Sequence, residues 1–237
     1  MNLQRASIRI SSDIWHRRCG QELLLPSSAL RIADHHLHAS GVLAFKNNFD
    51  WFCVSQAVRC FAVNKLHAKS KHDAQSSLFV PNIGTSSIHF GNSLMLKDEL
   101  LATTHRVFCR VKESTPAAFT DQERNKFLTS LSSTEEVLLP KLQRFNANDT
   151  SESELVLSVK VGPQHMNFAN HVDHAFLAET AFHALHTINK ESDEIAINYL
   201  GQPNLGDVLQ CFVQGDKIHI TRTDEITGES SIVVVAK

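Results

Sequence analysis

At 237 residues the chain is too long for one small module and comfortable for two domains of about 100 residues each. Hydrophobic residues at 42%, charged residues at 20% and a formal net charge of -2 describe a soluble globular protein, and they exclude a disordered chain or one that coats nucleic acid. Apolar stretches such as Ala57 to Val63 and Ile232 to Ala236 fall far short of the roughly 20 residues that a membrane span needs.

Near the start, Arg5, Arg9, Arg17 and Arg18 stand against one acid, Asp13, a faint likeness to an organelle transit peptide. Ile8 and Ile10 nevertheless alternate like a strand. A polar, His-containing loop, Asp34 to Gly41, then leads into a stretch, Phe45 to Val63, whose bulky residues Phe49, Phe52 and Cys60 follow helical spacing. The spacing predicts a largely buried helix there. Lys65 to Ser77 reads as an exposed basic loop, and Ile88 to Phe90, Leu96 to Leu100 and Leu101 to Val111 read as strands. Thr120 to Leu131 is an amphipathic helix with Thr120 as cap and Glu123 at the capping-box position.

Ser132 to Glu154, polar and rich in Ser, Asn and Asp, reads as a linker and sets the domain boundary near residue 150. This gives a first domain over 1–150 and a second over 151–237. In the second, Leu155 to Val161 alternates like a strand, and a loop, Gln164 to Asn170, leads into a helix over His171 to Ile188. Strand-like runs follow at Ile197 to Tyr199, Leu205 to Leu209, Leu209 to Thr221 and Ser231 to Ala236. The order of signals repeats that of the first half at equal offsets. The fold class is therefore α+β, each half an antiparallel sheet wrapped around a buried helix.

Two segments carry a family resemblance. His36 to Phe52 resembles the loop-and-helix signature D-x-D-A-x-G-V-V-Y-x-x-N-Y-x-x-W-F of the 4-hydroxybenzoyl-CoA thioesterases, matching at Ala39, Gly41, Val42, Asn47, Trp51 and Phe52. His165 to Glu179 resembles the D-x-D-x-N-x-H-V-N-N-x-x-Y-x-x-E form of acyl-carrier-protein thioesterases, matching at His171, Val172, Ala175 and Glu179. The resemblance implies a tandem double hot-dog, an acyl-CoA or acyl-carrier-protein thioester as substrate and partner, and no metal or cofactor. It is compatible with a homodimer and gives no role to nucleic acid. Substrate-binding positions carried over from it are Gly41, Val42, Asn47 and Asn170. A Gly at a loop-to-helix junction permits positive φ and a close backbone approach, and Asn tolerates the same region.

The sequence departs from the family where the chemistry lies. The family's second Asp is His38 in the first half and Asn167 in the second, its orienting Asn is Ala169, and its strand acid falls near Gln202. Of that set His171 remains. An imidazole can replace a carboxylate as base, and hot-dog dehydratases pair a His with an acid on the neighbouring central helix, a pattern that His38 and Glu179 resemble. Asp50 holds the equivalent of Glu179 in the first half. Three readings stay open: a thioesterase-like hydrolase, a lyase using His38 and Glu179, and an acyl-binding module without catalysis. Metal ligation by His35, His36 and His38, or by His165, His171 and His174, lacks a completing carboxylate or Cys. The five cysteines are scattered without C-x-x-C spacing, which fits a reducing compartment, the cytoplasm or an organellar matrix.

Overall fold

The computed structural model describes residues 4–10, 15–18, 21–41, 50–62, 72–131, 153–167, 170–188, 193–223 and 230–236. The chain divides into two compact units, Met1–Pro140 and Lys141–Lys237. The linker read from Ser132 lies almost wholly outside the described residues, as do Val42 and Asn47.

The first unit contains strands β1 (Gln4–Ile10), β2 (Trp15–Arg18) and β3 (Gln21–Leu24), helix α1 (Pro26–Ala39), strands β4 (Asp50–Cys60), β5 (His72–Ile83), β6 (Ser87–Leu96), β7 (Glu99–Lys112) and β8 (Thr115–Pro116), and helix α2 (Asp121–Leu131). Its main sheet runs β1-β5-β6-β7-β4, all antiparallel, with β8 on β7 and a separate β2-β3 hairpin. α1 packs on β4, β5 and β7. Its buried residues Pro26, Ala29, Leu30, Ala33, His36 and Leu37 recur at intervals of three and four, the stripe by which a helix covers a sheet. Pro26 in the first turn suits a position whose amide has no helical partner. The helix ends where Gly41 takes φ +65° and its N–H bonds the His38 carbonyl.

The helix expected over Phe45 to Val63 is not there: Asp50–Cys60 is strand β4, and the central helix lies about one element earlier in the chain. The physical reason is in β4 itself. It is buried on both faces from Ser55 to Val58, so it lacks a clean alternation, and an irregularity between Cys53 and Ser55 shifts its phase. Short buried runs of this kind are ambiguous between helix and strand. Conversely, Asp34 to Gly41 is no entrance loop; Asp34 to Ala39 forms the last turns of α1. The basic segment read as a loop up to Ser77 is strand β5 from His72 onward, and its earlier part lies outside the described residues.

The second unit contains β9 (Glu154–Lys160), a single 3-10 turn (Pro163–His165), α3 (His174–Thr187), β10 (Glu194–Tyr199), β11 (Val208–Gln214), β12 (Lys217–Thr223) and β13 (Ser230–Ala236). The strand read as continuous from Leu209 to Thr221 folds back at Gly215, φ +61°, into β11 and β12. The sheet runs β9-β11-β12-β13-β10, again antiparallel throughout. Each unit's main sheet and its packed helix thus come from a strand, a helix and four strands with the same spatial order, to which the first unit adds the β2-β3 hairpin, β8 and α2. In that correspondence β4 matches β10, so the equal offsets that aligned Ile88 with Ile197 paired non-equivalent strands. α3 buries Ala175, Leu177, Ala178, Ala181, Ala184 and Leu185 against β9, β10, β11 and β12. The capping box of α2 forms as its sequence demands: Glu123 accepts from the Thr120 amide at 2.8 Å, and the Glu123 amide donates to the Thr120 hydroxyl at 3.2 Å. Among the described residues no helix is long and apolar enough to cross a membrane.

Candidate functional site

The best built polar site in the second unit is the approach to α3. After β9 the chain turns at Gly162, whose amide donates to His165 Nδ1 at 3.0 Å, while the His165 amide donates back to the Gly162 carbonyl at 3.0 Å. The His165 ring lies flat on Phe176 in the first turn of α3, centroids 3.9 Å apart and planes 5° from parallel. Met166 and Val172 form an isolated bridge that closes the loop between them. Inside it the Asn167 amide donates to the His171 carbonyl at 2.7 Å, and the His171 amide donates to Asn167 Oδ1 at 3.1 Å. Asn170 sits at φ +57°, the left-handed conformation for which Asn is suited.

α3 then starts with its own cap. Asp173 Oδ1 accepts from the Ala175 amide at 2.9 Å, and the Asp173 amide donates to the His165 carbonyl at 2.8 Å. Tyr199, on β10, donates its hydroxyl to the His174 carbonyl at 3.2 Å and packs edge-on against the His174 ring. Asn167, Asn170 and His171 are therefore brought together in one loop at a helix N-terminus, where amides and dipole favour a partly negative oxygen. Glu179 stands further along α3, within 3.7 Å of His183. Ala169 lies outside the described residues. Gln202 lies off any strand, its carbonyl accepting from Arg222 at 3.1 Å. Arg222 also stands 3.6 Å from the buried Asp207 carboxylate.

In the first unit His38 and Gly41 occupy the end of a helix rather than its entrance, which reverses the geometry expected of them. A helix C-terminus presents carbonyls and disfavours a developing negative charge. Gly41 does take the positive φ expected of it, but uses it to stop α1. Desolvation, and then the neighbouring His35, hold the His38 imidazole below its ordinary pKa. Sequence reasoning missed a polar cluster beneath α1. His36 Nδ1 and the Ser76 hydroxyl are 2.8 Å apart, Asn92 donates to that hydroxyl at 2.8 Å, and the guanidinium of Arg106 donates to Asp34. The signal available was Asp34 and His36 in register with the apolar stripe Leu30, Ala33 and Leu37. In the second unit it missed Asp173 as the cap and Tyr199, the chain's single tyrosine. Among the described residues no three or more His, Cys, Asp or Glu gather as a metal-binding group.

No protein-family profile and no curated protein sequence match the chain. Solved structures do. The 12:0-acyl-carrier-protein thioesterase of Umbellularia californica superposes with a TM-score of 0.72 at 13% identity, over 99% of this chain and 95% of that one. An acyl-acyl-carrier-protein thioesterase of Bacteroides thetaiotaomicron gives 0.68 at 12%, over 98% and 96%. An oleoyl thioesterase, so named provisionally, of Lactobacillus plantarum gives 0.65 at 12%, over 99% and 96%. At such identities the likeness speaks of backbone alone, and along its whole length this chain has the hot-dog fold of the acyl-acyl-carrier-protein thioesterases.

Proposed function

We propose that the chain is a thioesterase-like protein that takes an acyl-CoA or acyl-acyl-carrier-protein thioester, each unit being one hot-dog domain and the division lying near residue 150. The observation that carries this reading is the match to acyl-acyl-carrier-protein thioesterases over nearly the whole of both chains. The reacting group sits at the N-terminus of α3. There a first-turn amide other than that of Ala175, which Asp173 holds, faces the thioester carbonyl, His171 serves as the imidazole beside the attacking water, and Asn167 and Asn170 position the loop. Such a protein works in the cytoplasm or an organellar matrix.

One observation favours a second reading, acyl binding without turnover. Asn167 replaces the family's acid, and its side-chain oxygen is taken by the His171 amide. The carboxylate nearest along the chain, Asp173, caps α3. A panel of acyl-CoA and acyl-carrier-protein thioesters separates the readings by thiol release. Hydrolysis of a subset that His171→Ala reduces at least about 100-fold is expected. Binding without thiol release would leave the second reading. A third arm, hydration of enoyl thioesters, tests the lyase reading built on His38 and Glu179. Failure to bind any acyl thioester would end all three.

A further inference from the structure

We propose that His165 is a catalytic residue of this site, a neutral imidazole whose Nε2–H donates a hydrogen bond to the thioester carbonyl oxygen. This rests on the reading above that the thioester lies at the N-terminus of α3. The tautomer follows from one contact. A backbone amide is always a donor, so His165 Nδ1, 3.0 Å from the Gly162 amide, must be the unprotonated acceptor, and a neutral ring carries its proton on Nε2.

The ring is also immobilised. Its face is stacked on Phe176 at 3.9 Å, its own amide is bonded to Gly162, and its carbonyl accepts from the amide of Asp173, the cap of α3. Nε2 is the one ring atom left to act. The ring is half-buried, and no described residue bonds that nitrogen, nor is it sealed in the interior. A rigid donor beside the first turn of a helix is the arrangement that stabilises charge developing on a carbonyl oxygen, because little reorganisation is needed when the charge appears. A neutral imidazole suits this role, since it polarises the oxygen without surrendering a proton. The bland alternative is that His165 merely closes the 3-10 turn.

Two measurements decide between them. Nitrogen NMR of the histidine-labelled protein should find His165 with its proton on Nε2; a proton on Nδ1 overturns the proposal before any substrate is added. In thiol-release assays His165→Phe keeps the stacking ring and loses the donor, so kcat should fall about 100- to 1,000-fold with KM changed less than about threefold. His165→Gln, which returns an N–H near Nε2, should recover at least about a tenth of wild-type kcat. Turnover by His165→Phe within about threefold of wild type would sink the proposal while leaving the thioesterase reading intact. If wild type releases no thiol, an acyl-CoA ketone analogue with CH2 in place of sulfur supplies the test. Binding that shifts the His165 Nε2 resonance upholds the contact, binding that leaves it unmoved overturns it, and no binding removes both the contact and the function.

Discussion

The helices α1 and α3 occupy the same place in the same topology, yet they are held by different forces. Beneath α1 lie Gln56, Ser76, Asn92, Thr104 and Arg106, each 2% exposed or less, and the helix answers with Asp34 and His36. Antiparallel register puts Thr104 opposite both Asn92 and Val58, and Arg106 opposite Phe90 and Gln56, so the polar groups share one face. Beneath α3 the packing is Ile195, Ile197, Leu209, Cys211, Ile218 and Ile220; burial there pushes the Cys211 thiol up to about 12. The one polar side chain α3 buries, Thr180, returns its hydroxyl to the carbonyl of Phe176. Apolar contact is non-directional, whereas a hydrogen-bonded pair fixes one arrangement. The second unit instead concentrates its directional contacts at the start of its helix, through Asp173, the His165 carbonyl and Tyr199. The difference teaches where each unit is specified: the first in its interior, the second at the candidate site.

The largest test of this contrast is Asp34→Ala. It removes the carboxylate that pairs the guanidinium of Arg106, whose side chain is 2% exposed, and should cost about 3 kcal/mol. Combining Asp34→Leu with Arg106→Leu should return stability to within about 1 kcal/mol of wild type, because neither charge is then buried alone. Leu177→Ala in α3 should cost a similar amount, about 3 kcal/mol, through a cavity that no polar change can relieve. Both tryptophans, Trp15 and Trp51, belong to the first unit, and Cys211 is the one cysteine of the second. Tryptophan emission in urea and pulsed labelling of Cys211 therefore read the units separately. Equal penalties for the single and double changes at Asp34 and Arg106 would break the contrast.

How much of this could be read from the chain depends on where polar groups lie. The second unit is the more legible: His171 to Ile188 reads as a helix because α3 has an apolar face, and its loop resembles a family motif. The first unit was misread at its centre. A helix with Asp34, His35, His36 and His38 in its last turns looks like a loop, although Leu30, Ala33 and Leu37 keep helical spacing. A strand buried on both faces, as β4 is, looks like a helix. The motif match over His36 to Phe52 inherited that error, which is why His38 and Gly41 stand at the wrong end of a helix for the roles they were given. No local pattern could announce Arg106 as the partner of Asp34, 72 positions away.

A smaller effect of opposite sign is expected at Thr104. The residue is 2% exposed, and its buried hydroxyl neither accepts nor donates a hydrogen bond among the described residues. Thr104→Val keeps the shape and removes the desolvated group, so it should raise the urea midpoint by the equivalent of about 1 kcal/mol. Destabilisation instead would place Thr104 inside the polar network, and would make the interior of the first unit more cooperative than its visible bonds.

The smallest expected effect is a sensitivity to acid that follows from the polar interior. His36 is buried, and burial first, then His35, hold its pKa below the ordinary 6.5. The titratable groups near it in α1 are Asp34, His35 and His38, of which His35 acts on it, and β7 carries Arg106 on the sheet face that α1 covers. On that face β4 offers Gln56 and Val58, β5 Ser76 and Leu78, and β6 Phe90, Asn92 and Leu94, none of them charged. An unfolded chain takes up the proton at a higher pH than the folded one, so His36 contributes stability fully above 6.5 and loses it as the pH falls through the lowered folded value. His38 and His89, also in the first unit and also held low by desolvation, act in the same direction. Protonation would place a cation in a desolvated site and require Nδ1 to donate where it now meets the Ser76 hydroxyl. Tryptophan-monitored urea midpoints should therefore decline between about pH 7 and about pH 5, and His36→Asn should flatten part of that decline. A midpoint that stays level over this range in the wild-type chain would mean that His36 is solvated or already charged, and that the interior of the first unit is no more polar in effect than that of the second.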